Sequence, residues 1–339
     1  MTLHFVLPGG VDDPASPSGG NVYDRRVVDG LRSAGVPVRE VVVPGDWPRP
    51  DERARAELGR ALAGIGDDAV VLLDGLVACG VPEVVVPHAG RLRLVVLVHL
   101  PLADETGLPP AVAARLDAAE RECLRAARAV VATSPRAARE LADRHGLPEV
   151  RVVVPGVDPA PLATGTDGAS RLLCVASVTP RKGHDVLLAA LAEVADLPWT
   201  CAFVGPVRTP ARTQVEELVD RSGLRDRIEL VGPLTGAALD RAYATADLFV
   251  LASRAETYGM VVTEALARGV PVIASSAPDA LGGGGLLLPA GDVPAFARAL
   301  RRWLTDDGWR RDLRGRALSR RRELSTWDET AAALASLRP

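Results

Sequence analysis

Two glutamates, Glu256 and Glu264, stand eight residues apart in the stretch SRAETYGMVVTEALARGVPVIAS. Gly259 separates the first from an apolar run that Gly269 and Pro271 would close, which predicts a helix from about Met260 to Arg268. Glu256 then lies in the loop before that helix, and Glu264 about one turn inside it. The amides of Gly259, Met260 and Val261 are among the donors that a helix start leaves unpaired, and they suit a phosphate. Either this is a solvated acidic loop followed by a surface helix, or the carboxylates converge on one ligand. In the second case the diphosphate of a nucleotide sugar would lie on the amides, with ribose and sugar hydroxyls on the two acids.

Three further stretches carry candidate chemistry. In LLCVASVTPRKGHDVLLAAL a strand runs into a Thr-Pro turn and then Arg181, Lys182 and Gly183, so two cations sit at a second helix start. They could meet the same diphosphate, or form an ordinary basic loop. In PASPSGGNVYDRRVVDGL, Gly19 and Gly20 open the first helix, but Gly-x-Gly-x-x-Gly is absent and turn chemistry explains the pair equally well. In LVVLVHLPLADETG, His99 ends a strand, where a ligand-facing role and a structural one are both open.

These residues need a frame that brings strand ends together. The 339 residues are 47% hydrophobic and 24% charged, enough for two domains with sizeable cores. Short Val/Leu runs at 3–7, 38–44, 69–74, 92–99, 129–134 and 150–155 alternate with helical stretches, the first from about Tyr23 to Ala34. A Pro/Gly/Ser/Thr-rich stretch, 155–170, reads as an interdomain linker. The pattern restarts with strands at 172–177, 200–205, 228–232, 248–253, 270–275 and 285–289 and a helix near 184–195. The expected domains are 1–158 and 171–325, followed by a helix, 326–339, that packs back on the first. In such α/β sheets ligands sit beyond the carboxyl ends of the strands.

Composition narrows the partners. Net charge is −3 and the charges are interspersed, so no basic stripe points to nucleic acid. MTLHFVLPGG lacks the signal-peptide pattern and no apolar run has membrane length, so a cytoplasmic location is expected. Cys79, Cys123, Cys174 and Cys201 are scattered among apolar residues and read as buried free thiols.

Taken together, these stretches resemble the retaining glycosyltransferases of family 4. The resemblance implies the GT-B fold: two tandem doubly wound Rossmann-like domains facing each other across a cleft. It spans nearly the whole chain and is strongest over 171–304. Its clearest mark is the Glu-x7-Glu motif of Glu256 and Glu264; TPRKGHDVLLAAL resembles the family's Lys-Gly segment, VHLPL its His segment, and SGGNVYDRRVVDGLRSAG its N-terminal glycine loop. By resemblance His99, Lys182 and Glu256 are catalytic. Gly19, Gly20, Ser177, Arg181, Lys182, Leu234 (in LVGPL, a base-pocket segment), Tyr258, Gly259, Met260, Val261 and Glu264 bind the donor. Glu264 would take the ribose and Glu256 the transferred sugar.

The chain departs from the family at Ser177, where an Arg is common. It departs again at Ser275-Ser276-Ala277-Pro278-Asp279, where Gly-Gly before Pro-Glu is usual. It is also short for the family. The implied reaction moves a hexose-type sugar from a UDP- or GDP-like donor to a small-molecule or glycan hydroxyl, with retention, without metal and without any cofactor. A nucleotide-sugar 2-epimerase and an inactive nucleotide-sugar binder are the alternatives.

Overall fold

The computed structural model describes residues 2–13, 18–207 and 211–337. The parts of the expected domains at 1, 14–17, 208–210 and 338–339 lie outside the described residues. The chain divides into two compact units, one made of 2–13, Ser18–Gly156 and 325–337, the other of Val157–Leu324.

The first unit holds β1 (Leu3–Pro8), β2 (Val38–Val43), β3 (Val70–Asp74), β4 (Arg93–Val98), β5 (Ala129–Ala132) and β6 (Arg151–Val152). They form one parallel sheet in the order β2-β1-β3-β4-β5-β6. All five residues of β3 and the last five of β4 are buried, as expected where helices cover both faces of a parallel sheet. The second unit holds β7 (Arg171–Val175), β8 (Thr200–Val204), β9 (Ile228–Gly232), β10 (Leu248–Leu251), β11 (Val272–Ser275) and β12 (Leu286–Leu288). Their order is β12-β11-β10-β7-β8-β9, again parallel throughout. The direction of winding reverses between β1 and β3 in one sheet and between β7 and β10 in the other. Chain segments following the strands at such a reversal go to opposite faces of the sheet, which leaves a crevice beyond the carboxyl ends.

Several helix starts carry a side-chain cap, such as Ser18, Asp51, Ser134, Asp292 and Asp306. Among those that do not, the helices His184–Ala192 and Met260–Ala267 begin at left-handed glycines, Gly183 (φ 64°) and Gly259 (φ 102°). Their first amides are left for another acceptor. The four cysteines are buried and free. Among the described residues no helix is long and apolar enough to cross a membrane.

Three local expectations need correction. The first helix runs from Gly19 to Ser33, four residues earlier than its apolar periodicity suggests, because the Ser18 hydroxyl accepts from the Asn21 amide. The strand expected over 150–155 shrinks to Arg151–Val152, with one more bond from the Val153 amide to Ala132. Most important, 155–170 is not a free tether. The chain leaves the first unit after Gly156, and its next residues are strapped to the second. The Ala163 amide reaches the Arg268 carbonyl, and the Thr164 and Gly165 amides reach Ala244. Buried Asp247, just before β10, then accepts from the amides of Thr166 (2.8 Å), Gly168 (3.1 Å) and Arg171 (3.0 Å) and from the Thr166 hydroxyl (2.6 Å). One carboxylate satisfies a strap whose composition alone resembles a linker.

The chain returns to the first unit at Ser325. The helix Trp327–Ser336, opened by a Thr326–Glu329 capping box, packs on the helix Gly19–Ser33. Gly30 makes this approach possible, since a Cβ there would stand 2.7 Å from the Ala331 methyl. Trp327 meets Tyr23 edge-on, and the Thr330 hydroxyl donates to the Val154 carbonyl.

Asp247→Ala leaves those amides without their acceptor. We expect a loss of about 2–3 kcal/mol in urea unfolding, together with new protease cleavage within 157–170. A variant of unchanged stability and protease resistance would show that the strap is held by other contacts.

Candidate functional site

In the second unit the loops after β7 and β10, the two strands at the reversal, come together. The loop after β7 carries a short turn, Pro180–Lys182, and the loop after β10 carries Glu256. Lys182 Nζ donates to Glu256 Oε1 at 2.6 Å, and the Ser253 hydroxyl donates to the same oxygen at 2.6 Å. Arg181 stands 3.8 Å from Glu256 Oε2. Both cations and the carboxylate are largely withdrawn from solvent. The neighbouring His184 adds no charge, because burial, helped by Lys182, pushes its pKa down to about 4.

The loops are fixed to each other by more than this pair. The Arg254 amide donates to the Arg181 carbonyl, and its guanidinium bonds the Pro180 carbonyl and both oxygens of Asp185. Gly183 lies so close to β10's exit that an added Cβ would stand 2.0 Å from the Ala252 carbonyl oxygen. Ser275 and Ser276, the unusual pair at the end of β11, donate to the carbonyls of Ser253 (2.7 Å) and Arg254 (3.0 Å). Ser276 does so from a left-handed backbone (φ 60°), the conformation that explains why glycine suits this position.

Glu264 faces a different partner. The Tyr243 hydroxyl donates to its Oε2 at 2.7 Å, and burial holds its pKa above the usual carboxylate range against the pull of Tyr243 and Arg268. Arg268 in turn stacks over the Tyr243 ring at 4.8 Å. Gly259, Met260 and Val261 lie at the uncapped helix start, and an added Cβ on Gly259 would meet the Ala277 methyl at 2.9 Å. Tyr258 is buried beside this start. Ser177 lies partly buried just past β7, and Leu234 lies in the turn after β9; neither joins the described hydrogen bonds of the Lys182–Glu256 pair.

In the first unit His99 lies just past β4, and Gly19 and Gly20 form the first turn of the helix after β1. A Cβ on Gly20 would sit 3.1 Å from the His99 ring, so glycine leaves that ring its place. His99 Nε2 donates to Asp24 Oδ1 at 2.8 Å, and Asp74 closes β3 nearby; ligand atoms of all three lie within 4.8 Å of one another. Burial lowers the His99 pKa, but the Asp24 carboxylate outweighs it and the net shift is upward. Asp24, Asp74, Ser253 and Tyr243 were not singled out in the sequence. Asp74 and Ser253 could have been, since both end apolar strands; Asp24 and Tyr243 sit inside helices and carry no local signal.

Comparison with known proteins is consistent along the chain. The family described as "Glycosyltransferase Family 4" matches residues 17–161, and "Glycosyl transferases group 1" matches 169–306. The D-inositol 3-phosphate glycosyltransferase of Kineococcus radiotolerans is 32% identical over 250 residues, covering 63% of this chain and 57% of that protein. The protein of the same name from Xylanimonas cellulosilytica is 31% identical over 244 residues, covering 63% and 57%. The match thus spans little more than half the length of these relatives. Among solved structures, sucrose-phosphate synthase from Thermosynechococcus elongatus superposes with a TM-score of 0.81 at 22% identity, covering 99% of this chain and 98% of that one. HepE from Anabaena, in complex with UDP and glucose, superposes with a TM-score of 0.73 at 17% identity, covering 99% and 98%. At such identities the likeness concerns the fold.

Two glycines with nearly equal φ test the close approach of the Lys182 loop. Gly183 (φ 64°) would clash with Ala252, while Gly223 (φ 67°) has nothing within 4 Å of an added Cβ. Gly183→Ala should therefore cost about 1–3 kcal/mol more than Gly223→Ala in urea unfolding. Equal losses would mean that the backbone strain alone matters.

Proposed function

This chain belongs to glycosyltransferase family 4, with the two-domain α/β fold called GT-B, and from that premise we propose that it moves a hexose-type sugar from a nucleotide-diphosphate sugar to a hydroxyl acceptor. The observation that carries the reading is the Lys182–Glu256 pair at the strand-order reversal, beside two uncapped helix starts. An incoming diphosphate supplies what this arrangement lacks, a multivalent anion for Lys182, Arg181 and the amides of Gly259, Met260 and Val261. When Lys182 turns to phosphate, Glu256 is freed for the hydroxyls of the transferred sugar, with the Ser253 hydroxyl still in place. Glu264, oriented by Tyr243, takes the ribose. Leu234 and Tyr258 line the donor side, and Ser177 leaves Lys182 as its main side-chain cation. UDP and GDP are the nucleotides to try first.

Charge develops on the departing diphosphate, and Lys182 with the helix amides stabilises it there. As the anomeric carbon–phosphate oxygen bond breaks, the acceptor oxygen bonds to that carbon from the same face and gives its proton to the departing phosphate oxygen, which retains the anomeric configuration. The His99 ring keeps its other nitrogen for the acceptor. No metal and no further cofactor enter this scheme, because cations and amides of the chain do the neutralising. For the acceptor, the relatives' names make a polyol phosphate such as D-inositol 3-phosphate the first candidate. Four buried free thiols suit a reducing compartment, and we assign the reaction to the cytoplasm.

Calorimetry and transfer assays divide these roles. Lys182→Ala should lose about 10²–10³ in kcat, the usual cost of removing a charged donor at a developing charge. Glu264→Ala should weaken binding of the free nucleotide, whereas Glu256→Gln should leave that binding nearly intact and abolish transfer. Near-normal turnover in Lys182→Ala would move the diphosphate elsewhere.

Activity should also persist in EDTA. Loss in chelator with recovery in Mg²⁺ or Mn²⁺ would overturn the metal-free scheme.

A further inference from the structure

We propose that Asp24 and Asp74 hold a single proton between them, and that this shared proton sets how Asp24 grips the His99 ring. Asp24 is fully buried in the helix Gly19–Ser33, and only one of its oxygens is used, Oδ1 on His99 Nε2. Its other oxygen, Oδ2, is buried and has no hydrogen-bond partner. A buried carboxylate oxygen without a donor is costly, so the group that faces it matters. The other acid of the cluster is Asp74, buried at the end of β3, whose Oδ1 already accepts from the Leu76 amide at 2.7 Å.

Two carboxylates within 4.8 Å of each other and of His99 cannot both stay ionised out of water without cost. With His99 protonated and both acids ionised, the trio would carry one net negative charge. One added proton brings it to zero and gives Asp24 Oδ2 its missing donor. Burial and the nearby Asp24 charge act in that direction, holding the Asp74 pKa above the usual carboxylate range, with His99 opposing. Tyr23 lies edge-on to His99 with ring centroids 5.1 Å apart, and burial and Asp24 keep its hydroxyl protonated; buried Cys79, which also feels Asp74, is kept a thiol by its Cys123 neighbour and by burial. Asp74 is thus a positioning residue that acts on His99 through Asp24. As pH rises and the shared proton leaves, the His99 proton is held by two charges instead of one, so the two losses are coupled.

The test is an NMR titration of the His99 ring in the full chain. In the unmodified protein the curve should spread over two overlapping steps. Asp74→Asn keeps an oxygen for the Leu76 amide and offers Asp24 Oδ2 a permanent N–H, so it should fold and collapse the curve to one step. Asp24→Asn should lower the midpoint, since burial then acts with little opposition. Identical one-step curves in the unmodified protein and Asp74→Asn would overturn the proposal.

Carboxyl ¹³C shifts of the unmodified protein give a second reading that needs no variant. One aspartate should titrate well above the others, and ordinary titration of all of them would also overturn it. So would loss of the His99 signals with stoichiometric Mn²⁺ that Asp24→Asn prevents, because a cation would then occupy the cluster. Only the kinetic arm rests on the proposed transferase reading. There kcat should fall as pH removes the shared proton, and Asp74→Asn should lose that limb. Failure of transfer altogether, with the NMR result intact, would count against the function and not the proton.

Discussion

The Lys182–Glu256 contact is the interaction around which the second unit's loops are arranged. Largely buried ion pairs are poor stabilisers, because removing two charges from water costs about as much as their attraction returns. A pair kept at that cost at the end of a sheet needs another explanation. Here the pair keeps a cation in place and neutralised while no anion is bound. On the proposed reading Glu256 is the partner that a diphosphate replaces, and Ser253 remains to hold its carboxylate when that happens. On that reading the donor site is set by an exchange of partners.

That exchange requires the two loops to stay fixed while the charges change partners. Strand order brings them together, since β7 and β10 are neighbours at the reversal. Arg254 ties the Glu256 loop to the Lys182 loop through backbone and side chain at once. Ser275 and Ser276 tie it from the other side through hydroxyls that glycines would lack. The departure from Gly-Gly therefore has a structural consequence: a stiffer loop at the cost of a left-handed serine. Ser177 is different; it takes no part in the described hydrogen bonds of the Lys182–Glu256 pair.

The sheet frame was legible because buried parallel strands write themselves as short Val/Leu runs, and all twelve were found within a few residues. The Lys182 and Glu256 segments were legible because their loops combine glycine, charge and a helix start within a dozen residues. The strap at 157–170 was not, because its partner, Asp247, lies 76 to 81 residues away and composition cannot show a long-range acceptor. The same reason hides Tyr243 from a reading of Glu264, 21 residues on. Asp24 is hidden differently: it sits on a helix rich in charge, and only the tertiary fold tells the one fully buried acid from its solvated neighbour Asp29.

The two units solve opposite electrostatic problems at their strand ends. In the second, Arg181 and Lys182 gather beside uncapped helix starts, and Glu256 pairs with both cations. In the first, two buried aspartates lie close to a single imidazole, and the shared proton proposed above balances their charge. A diphosphate placed against Asp24 and Asp74 would meet carboxylates with no cation to spare, since His99 already answers Asp24. On the proposed reading this divides the substrates by charge: the diphosphate belongs to the second unit, and the first offers His99 to an oxygen that carries little charge of its own. A phosphate on the acceptor would then have to be held away from that trio, by the rim of the first unit and not by its floor.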